Sequence, residues 1–458
     1  MKKFLSEMVS VVPSKRQMEW FNIGFYAFVH LGVNTYTDKE WGVGQEPENI
    51  FNPEKLDCDQ WVRAIKSAGM KGMILTAKHH DGFCLWPSRY TEHSVKNSPF
   101  KGDIVKEAAE ACKRGGIKFG FYLSPWDRNS KLYGTEEYND YFCNQLTELL
   151  TGYGDIFCVW FDNACGEGPN GKKQIYDFQR YFELIRKYQP QAVIFNDFGP
   201  DIRWCGNEAG VTREGEWAVV PSELCKYSEV QTGPGPMQDQ GNLSFLFNSA
   251  KNIGGLDMAI FSKGLTFTPA EVDTSIRKGW FWHRDQEPRS LNDLFDVYIR
   301  TVGGNCCLNL NVPPTKEGLI DERDVNRLQE LGDLIQESFG REIATKLKKR
   351  TEGDMIHQEY EVCFEESCSA IHYVVIEEDL TQGQRIEGFQ LLRESEGYEL
   401  FPLYQGSTVG NRKICILKDS SKEQNELLFG NSEKAPDHLV LRITSARGEV
   451  HLKSVRVY

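Results

Sequence analysis

Polar side chains follow several short apolar segments of this chain, at the point where each segment ends. The clearest case is "DIFCVWFDNACGEG", residues 155 to 168, in which an apolar run stops on Asp162 and a glycine-containing loop follows. Such a run is typical of a strand buried on both faces of a parallel sheet. Asp162 then lies at the carboxyl end of its strand, where α/β folds place their chemistry.

Other predicted strand ends carry the same kinds of side chain. With Asp162 included, they are in chain order His30, His79, His80, Asp81, Trp126, Asp127, Trp160, Asp162, Asn196 and Asp197. The stretch "RWCGNEAG" beyond the fifth strand adds Arg203, Trp204, Asn207 and Glu208, and the accompanying aromatic residues include Trp41, Trp86 and the "GWFW" pair Trp280 and Trp282. Because the carboxyl ends of barrel strands converge on one mouth, we expect these side chains to share a concave site. Imidazoles, carboxylates and aromatic faces together suit a polyhydroxylated ligand that also has apolar C–H faces.

A metal site is the sharper alternative, since the three histidines and Asp162 are all competent ligands. Spacing argues against it. A metal pair on the first strand usually needs two histidines two positions apart on one face, but the residue two after His30 is Gly32. His79 and His80 are adjacent, and adjacent side chains on a regular strand point to opposite faces. The sequence also lacks an H-E-x-x-H pair, a cysteine cluster, a P-loop and a dinucleotide fingerprint. We therefore expect no metal and no organic cofactor.

These residues need a scaffold that brings strand ends together. From residue 24 onward, apolar strands alternate with helical patterns, and the strands begin near residues 24, 72, 117, 155 and 191. Five βα units in series indicate a parallel sheet. The alternation blurs through "SEVQTGPGPMQDQGNLS" and resumes with "GLTFTP", "SLNDLFDVYIRTVGGN" and "CCLNLNVPP". We predict an α/β catalytic domain over residues 1–345, a TIM-like (β/α)8 barrel that is partly irregular.

The sequence pattern changes after about residue 345. Alternating segments such as "EYEVCF", "AIHYVVIEED" and "HLVLRIT" follow one another with turn residues between them and no convincing helix. That pattern is typical of an antiparallel β-sandwich, and we predict one over residues 346–458. The segment "KLKKRTEGD" is expected to be the linker between the two domains.

Composition limits the partners and the compartment. A formal net charge of -13 argues against binding to nucleic acid or to an anionic membrane, because both require clustered Lys and Arg. The 13 cysteines include no C-x-x-C pair, which suggests a reducing compartment. The start "MKKFLSEMVS" breaks at Ser6 and Glu7 before an apolar run of signal-peptide length. We expect a cytoplasmic protein, or a periplasmic or secreted one if a signal segment has been removed.

Six stretches resemble the retaining α-L-fucosidases of glycoside hydrolase family 29. They span residues 25 to about 320 in the same order and read "FVHLGVNTYTDKEWG", "ILTAKHHDGFCLWPS", "FGFYLSPWD", "WFDNACGEG", "RWCGNEAG" and "GNCCLNLNVPPTKEGLI". The sandwich that follows the barrel fits the resemblance as well. The stretch "RWCGNEAG" is similar to the subfamily usually called B, which is associated with α-1,3/1,4-linked fucose on branched glycans.

The resemblance implies that Asp162 is the nucleophile and Glu208 the general acid/base, with Asp201 and Glu216 as alternatives for the second role. The predicted substrate-binding residues are His30, Glu40, Trp41, His79, His80, Trp160, Arg203 and Trp282. The implied activity is removal of terminal fucose from a fucosylated oligosaccharide or glycan. Two other hypotheses stay open, a different exo-glycosidase such as a galactosidase and a non-catalytic carbohydrate-binding protein. The oligomeric state is left open too.

Overall fold

The computed structural model describes residues 2–197, 199–225, 251–350, 358–365, 371–394, 400–417 and 438–458. The strands up to residue 311 are β1 (Phe25–Val29), β2 (Gly72–Lys78), β3 (Lys118–Leu123), β4 (Cys158–Trp160), β5 (Val193–Phe195), β6 (Arg203–Trp204), β7 (Val219–Pro221), β8 (Leu265–Phe267), β9 (Ala270–Ser275) and β10 (Cys307–Asn311). All but β7 and β8 pair in parallel, in the order β5-β4-β3-β2-β1-β10-β9-β6. A parallel bridge between Phe195 and Ile202 joins the two ends, so the sheet closes. The predicted barrel is confirmed.

Helices surround the barrel and connect its strands. They are α1 (Lys2–Ser10), α2 (Lys15–Ile23), α3 (Val33–Thr37), α4 (Cys58–Ser67), α5 (Ile104–Gly115), α6 (Glu137–Gly152), α7 (Phe178–Tyr188), α8 (Leu256–Ala259), α9 (Leu291–Val302) and α10 (Glu322–Phe339). Side chains that accept a backbone N–H begin several of them, for example Asp57 before α4 and Asp103 before α5. The buried face of α4 carries Trp61, Val62 and Ile65, which join the core between the helices and the barrel.

One prediction about the second half of the barrel needs correction. The segment "GLTFTP" does not supply a barrel strand, because β8 pairs with β7 in a separate antiparallel hairpin. The barrel strand follows directly as β9, which pairs with β10 and with the very short β6. The Gly-, Pro- and Ser-rich stretch, residues 228–244, lies outside the described residues. The irregularity expected of this barrel is visible in the two residues of β6.

A second all-β unit follows α10. Its strands are β11 (Thr345–Lys349), β12 (Gln358–Phe364), β13 (Tyr373–Glu378), β14 (Ile386–Glu394), β15 (Leu400–Gly406), β16 (Lys413–Ile416), β17 (His438–Ala446) and β18 (Leu452–Val457). They form one sheet in the order β11-β12-β17-β14-β15 and another in the order β16-β13-β18, all antiparallel. A shared apolar core that includes Val374, Phe389 and Leu441 lies between the sheets. The predicted sandwich is confirmed.

The expected linker is wrong over its first part. Residues 346–349 belong to β11, whose residues pair with β12 from Thr345 opposite Phe364 to Lys349 opposite Tyr360. Residues 351–354 lie outside the described part of the chain. The lysines of β11 are mostly exposed and occupy an edge of the sheet, where charged side chains oppose pairing with another chain. The charge run is therefore an edge strand and not a linker.

Among the described residues, none of the helices is long and apolar enough to cross a membrane.

Candidate active site

An open cavity of about 480 Å³ lies at the carboxyl ends of the barrel strands. Predicted site residues that line it are His30, Glu40, Trp41, His79, His80, Trp160, Asp162 and Glu208. The same cavity is also lined by Phe28, Tyr122, Phe195, Asp197, Trp204, Asp273 and Trp280. Arg203 and Trp282 do not line it. The structure thus brings together side chains from strands and loops that are far apart in the sequence.

The two-residue period of the strands explains why several of these groups face the cavity. Aromatic residues that point into the barrel are followed two positions later by a polar side chain at its mouth. Three such pairs are Phe28 and His30 after β1, Trp160 and Asp162 after β4, and Phe195 and Asp197 after β5. Trp160 stacks on Phe195 with ring centroids 4.1 Å apart, which forms an aromatic floor beneath the carboxyl groups. An apolar strand can therefore end on a carboxylate without burying that charge in its core.

His79 and His80 both line the cavity because they lie beyond regular strand geometry. The pairing of β2 with β3 shifts register between Thr76 and Lys78, and the Gly82 N–H closes a turn on the His79 carbonyl. The side chains no longer alternate there, and the two imidazole centroids are 4.2 Å apart. The prediction that adjacent histidines point apart is wrong at this site. Burial lowers the pKa of both imidazoles, which favours their neutral forms.

The hydrogen bonds of His30 assign its tautomer. Its Nδ1 lies 2.8 Å from Oδ1 of Asn311. The Asn311 amide nitrogen donates to Ser275 and to the Trp280 carbonyl, so its oxygen is the atom that faces His30. Nδ1 therefore carries the proton, and Nε2 is left as an acceptor. Burial lowers the pKa of His30 to about 3, which keeps the ring neutral at physiological pH.

The hydrogen bonds of His80 also assign its tautomer. Its Nδ1 lies 2.7 Å from the Ser124 hydroxyl, whose single proton is donated to the Trp126 carbonyl. Nδ1 of His80 therefore donates, and Nε2 is an acceptor. That Nε2 lies 3.7 Å from Oδ2 of Asp162. A neutral acceptor at this position can take a hydrogen bond from a hydroxyl group of a ligand, as a sugar would supply.

Asp162 is anchored from both of its oxygens. The Tyr122 hydroxyl donates to Oδ2 at 3.1 Å, and the Ala164 N–H donates to Oδ1 at 2.7 Å. The side chain nevertheless remains 28% exposed, so it is open to the cavity. Two donors on different elements restrict its rotation. Such a carboxylate can approach an electrophilic carbon without first reorganising.

Glu208 follows β6 on a loop and reaches the same cavity. Glu208 is exposed as a residue, but desolvation of its carboxyl group in the cavity, together with nearby Asp162 and Glu40, raises its pKa, although a hydrogen bond with the Trp280 side chain opposes the shift. The loop is supported by Asn207, which accepts the Ala209 N–H through its side chain. A carboxyl group with a raised pKa beside an anchored carboxylate is the pairing that acid/base chemistry requires.

Two further carboxyl groups border the cavity. Burial and the neighbouring Asp162 raise the pKa of Asp197 to about 8. Burial also raises the pKa of Asp273, with Glu208 contributing to the shift, and the Trp204 indole donates to Asp273 at 2.6 Å. Sequence reasoning missed Asp273 because it did not recognise β9. The alternation in "AEVDTS" was the available signal, with its acidic residues on one face.

Glu40 lies on the loop that follows α3 and is held by residues far along the chain. Its carboxylate accepts the Trp280 backbone N–H at 2.6 Å and contacts Nε2 of His283 at 2.7 Å. Nδ1 of the same imidazole lies 2.6 Å from Asp38. Sequence reasoning did not single out His283. Trp41, which is 54% exposed, stands at the rim and meets His80 edge to face with centroids 5.6 Å apart.

Arg203 and Trp282, both predicted to bind substrate, have structural partners instead. The Arg203 guanidinium is fully buried and donates to Glu216 at 2.5 Å and to the Trp217 carbonyl at 3.0 Å. The Trp282 indole donates to Asp321 at 3.0 Å. Of the two residues of β6, Trp204 lines the cavity and Arg203 does not.

The alternative acid/base residues Asp201 and Glu216 are both engaged in ion pairs outside the cavity lining. Asp201 pairs with Arg16 at 3.2 Å and with Arg186. Glu216 lies between Arg203 and Arg213, and although burial opposes the shift, these two cations lower its pKa. Neither carboxylate borders the space that contains Asp162. Their placement favours Glu208 for that role.

Comparison with known proteins identifies the family. A family model described as alpha-L-fucosidase matches residues 8–338. Alpha-L-fucosidase 1 of Arabidopsis thaliana is 38% identical over 434 residues, which cover 88% of this chain and 81% of that protein. The chain belongs to the α-L-fucosidase family. Membership confirms the resemblance stated from the sequence motifs and makes the chain a glycoside hydrolase.

Solved structures of α-L-fucosidases share the architecture. A putative α-L-fucosidase from Bacteroides ovatus superposes with a TM-score of 0.86 at 38% identity, covering all of this chain and 75% of that one. A glycoside hydrolase family 29 fucosidase from Ruminococcus gnavus, solved in complex with fucose, has a TM-score of 0.80 at 26% identity. That match covers 98% of this chain and 95% of the other. The α-L-fucosidase likeness therefore extends over the barrel and the sandwich together.

Proposed function

We propose that the chain is an exo-acting retaining α-L-fucosidase that releases terminal α-1,3/1,4-linked L-fucose from oligosaccharides or glycans. Asp162 is the nucleophile and Glu208 the general acid/base. The observation that carries the proposal is the pairing of these carboxyl groups in one cavity. Asp162 is anchored by Tyr122 and Ala164 and open to the cavity, whereas desolvation and Asp162 raise the pKa of Glu208.

The chemistry follows from what a glycosidic bond requires. In the first step Asp162 attacks the anomeric carbon while Glu208 protonates the departing oxygen, which forms a fucosyl-enzyme ester and frees the aglycone alcohol. In the second step Glu208 takes a proton from water, which attacks the same carbon and releases Asp162. Two inversions return fucose with its original anomeric configuration. This route requires a carboxyl separation of roughly 5 Å.

The remaining cavity residues suit a sugar. Nε2 of His30 and Nε2 of His80 are acceptors for sugar hydroxyl groups, because Nδ1 of each ring already donates to a protein oxygen. The aromatic surface that includes Trp160 offers an apolar face to sugar C–H groups. Glu40, held by His283 and Trp280, adds a charged acceptor. The fucose bound to the Ruminococcus gnavus relative supports fucose as the sugar.

The linkage preference rests on the loop that carries Glu208. Its sequence "RWCGNEAG" is similar to the subfamily associated with α-1,3/1,4-linked fucose, and Trp204 from that stretch lines the cavity. Trp41 at the rim offers an exposed indole surface for the sugars beyond fucose. A chain with a formal net charge of -13 is better suited to a neutral glycan than to an anionic polymer.

The direct test is incubation with fucosylated trisaccharides. We expect release of fucose from substrates with α-1,3 or α-1,4 links and little from a matched α-1,2-linked trisaccharide. Proton NMR of the first product formed should show the α anomer before it mutarotates. An aryl galactoside serves as the control for sugar identity. Initial release of β-fucose would reject retention, whereas turnover of the galactoside alone would reject the fucosidase assignment.

A further inference from the structure

We propose that Thr274 is a positioning residue for the acid/base Glu208, acting through a hydrogen bond to the main chain of the loop that carries it. The inference rests on the role proposed for Glu208 above. Thr274 lies on β9, is 2% exposed and does not line the cavity. Its hydroxyl donates to the carbonyl oxygen of Glu208 at 2.8 Å.

The direction of this hydrogen bond is fixed by a third residue. Nη1 of Arg289 donates to the Thr274 hydroxyl oxygen at 3.0 Å. A guanidinium can only donate, and a hydroxyl has a single proton, so that proton is free to point at the Glu208 carbonyl. Arg289 is in turn held by both oxygens of Asp293, at 2.6 and 3.1 Å. The Thr274 hydroxyl is therefore oriented before a substrate binds.

Neighbouring residues of β9 hold the start of the same loop. The Glu271 carbonyl accepts the Cys205 N–H at 2.9 Å, and the Asp273 carboxyl accepts the Trp204 indole N–H at 2.6 Å. These two contacts precede Glu208, whereas the Thr274 contact is made to Glu208 itself. Fixing its carbonyl restricts where its Cα lies, and hence how far the carboxyl group reaches into the cavity.

The geometry matters because acid catalysis tolerates little displacement. A proton donor must lie within hydrogen-bond reach of the departing oxygen, and an error of 1 Å in placement is costly. The loop itself contains Gly206 and Gly210 in the left-handed region, with φ of 103° and 80°. Glycines on both sides of Glu208 leave the backbone conformationally permissive. The loop has hydrogen bonds of its own through Asn207, and the Thr274 contact ties it to the barrel strand at Glu208 itself.

The test compares two substrates in the wild type and in two variants of Thr274. One substrate is an α-1,3/1,4-fucosylated trisaccharide, whose leaving alcohol needs a proton, and the other is an aryl fucoside whose leaving group departs without one. For Thr274→Val, which keeps the volume and removes the hydroxyl, we expect kcat/KM for the trisaccharide to fall by about tenfold to a hundredfold. The value for the aryl fucoside should fall by less than about threefold. Thr274→Ser, which keeps the hydroxyl, should restore the wild-type ratio.

The ratio of the two kcat/KM values does not depend on how much of each enzyme is folded, so a general loss of stability cannot imitate the result. Equal losses on both substrates for Thr274→Val, or no recovery of the ratio in Thr274→Ser, would overturn the inference. Glu208→Ala is measured in parallel. Selective loss of trisaccharide cleavage in Glu208→Ala with equal losses in Thr274→Val rejects only the role of Thr274. Absence of selectivity in Glu208→Ala rejects the acid/base assignment and this inference with it.

Discussion

Groups at the strand ends and groups on the loops of the cavity are held by different means. Asp162 follows β4 by two residues, and its anchors, Tyr122 on β3 and the nearby Ala164 N–H, belong to the neighbouring strand and to its own turn. Glu40 lies on a loop, and its partners Trp280 and His283 are 240 and 243 positions away. Glu208 likewise depends on β9.

This difference predicts which substitutions would displace each kind of carboxylate. A carboxylate on a strand inherits its position from the barrel, so its geometry survives most changes that leave the barrel intact. A carboxylate on a loop depends instead on a few hydrogen bonds from distant segments. We therefore expect strand-end substitutions to act directly on the chemistry and loop-support substitutions to act selectively.

The largest expected effect on kcat comes from a substitution at a strand end. Asp162→Ala should lower kcat by about a thousandfold or more on every fucoside, because loss of a covalent nucleophile removes the intermediate itself. Exposed Asp155, which precedes the same strand, provides a matched control, and Asp155→Ala should retain wild-type kcat. Steady-state kinetics on both variants makes the comparison. Retention of more than about a tenth of wild-type kcat in Asp162→Ala would exclude a covalent role.

The corresponding loop carboxylate should behave selectively. Glu208→Ala should lower trisaccharide cleavage by about a hundredfold to ten thousandfold, because a sugar alcohol departs poorly without a proton. Formation of the fucosyl-enzyme from an activated aryl fucoside should be spared, and added azide should restore turnover by replacing water that needs a base. The measurement is product analysis by NMR for a fucosyl azide of retained configuration. Azide rescue in Glu216→Ala or Asp201→Ala, but not in Glu208→Ala, would assign the general acid/base role to Glu216 or Asp201.

The same contrast separates what the sequence could predict from what it could not. His30, Asp162 and the barrel strands that carry them follow a two-residue or apolar pattern that is visible locally. Asp273 is harder to predict because the inward-facing positions of its strand are acidic rather than apolar: Asp273 lines the cavity, and Glu271 contacts the Trp160 indole. Glu271 is buried there, accepting from the Trp160 indole and the Asn309 amide, and a buried acidic residue looks in sequence like an exposed one.

Loop contacts are harder still to predict, because they join segments that no local pattern relates. His283 and Glu40 meet only once α3 and the segment after β9 lie side by side at the mouth. Arg203 shows the same dependence on packing, since the motif predicts a substrate contact whereas the structure gives its guanidinium a protein partner, Glu216, 13 positions onward. Whether a charged side chain contacts ligand or protein depends on packing that the motif does not encode.

The placement of Arg203 leads to a prediction about stability rather than binding. Arg203→Ala leaves the buried Glu216 carboxylate with Arg213 as its remaining cation, so we expect the free energy of unfolding to fall by up to about 3–5 kcal/mol, with KM unchanged for the folded enzyme. Urea unfolding and steady-state kinetics measure the two quantities. Arg213→Ala removes the other cation, which is 11% exposed, and should cost less. An increase in KM without a loss of stability would show that Arg203 binds substrate and does not have a structural role.

The smallest expected effect concerns His283, the support of Glu40, and it depends on pH. Although burial opposes the shift, hydrogen bonds to Glu40 and Asp38 raise the pKa of His283 above its ordinary value of 6.5. A raised native pKa means that the stabilising contribution of the imidazolium is fully present below about pH 6.5 and is lost as pH rises through the native value. A neutral imidazole has one N–H and can serve only one of the two carboxylates.

We therefore expect the inhibition constant of free fucose to rise by about twofold to fivefold from pH 6 to pH 9 in the wild type, the range appropriate to a partly exposed ion pair. His283→Gln cannot change its charge, so its inhibition constant should vary less over the same interval. His451→Gln in the sandwich is the control and should retain the wild-type dependence. Glu208 and Asp197 also line the cavity and have raised pKa values, but they are present in both enzymes, so the difference between the wild-type and His283→Gln curves reports the imidazole. If His283→Gln follows the wild-type curve, the loop side of the cavity does not depend on its distant imidazole, and Glu40 is held by the Trp280 N–H alone or by the loop itself.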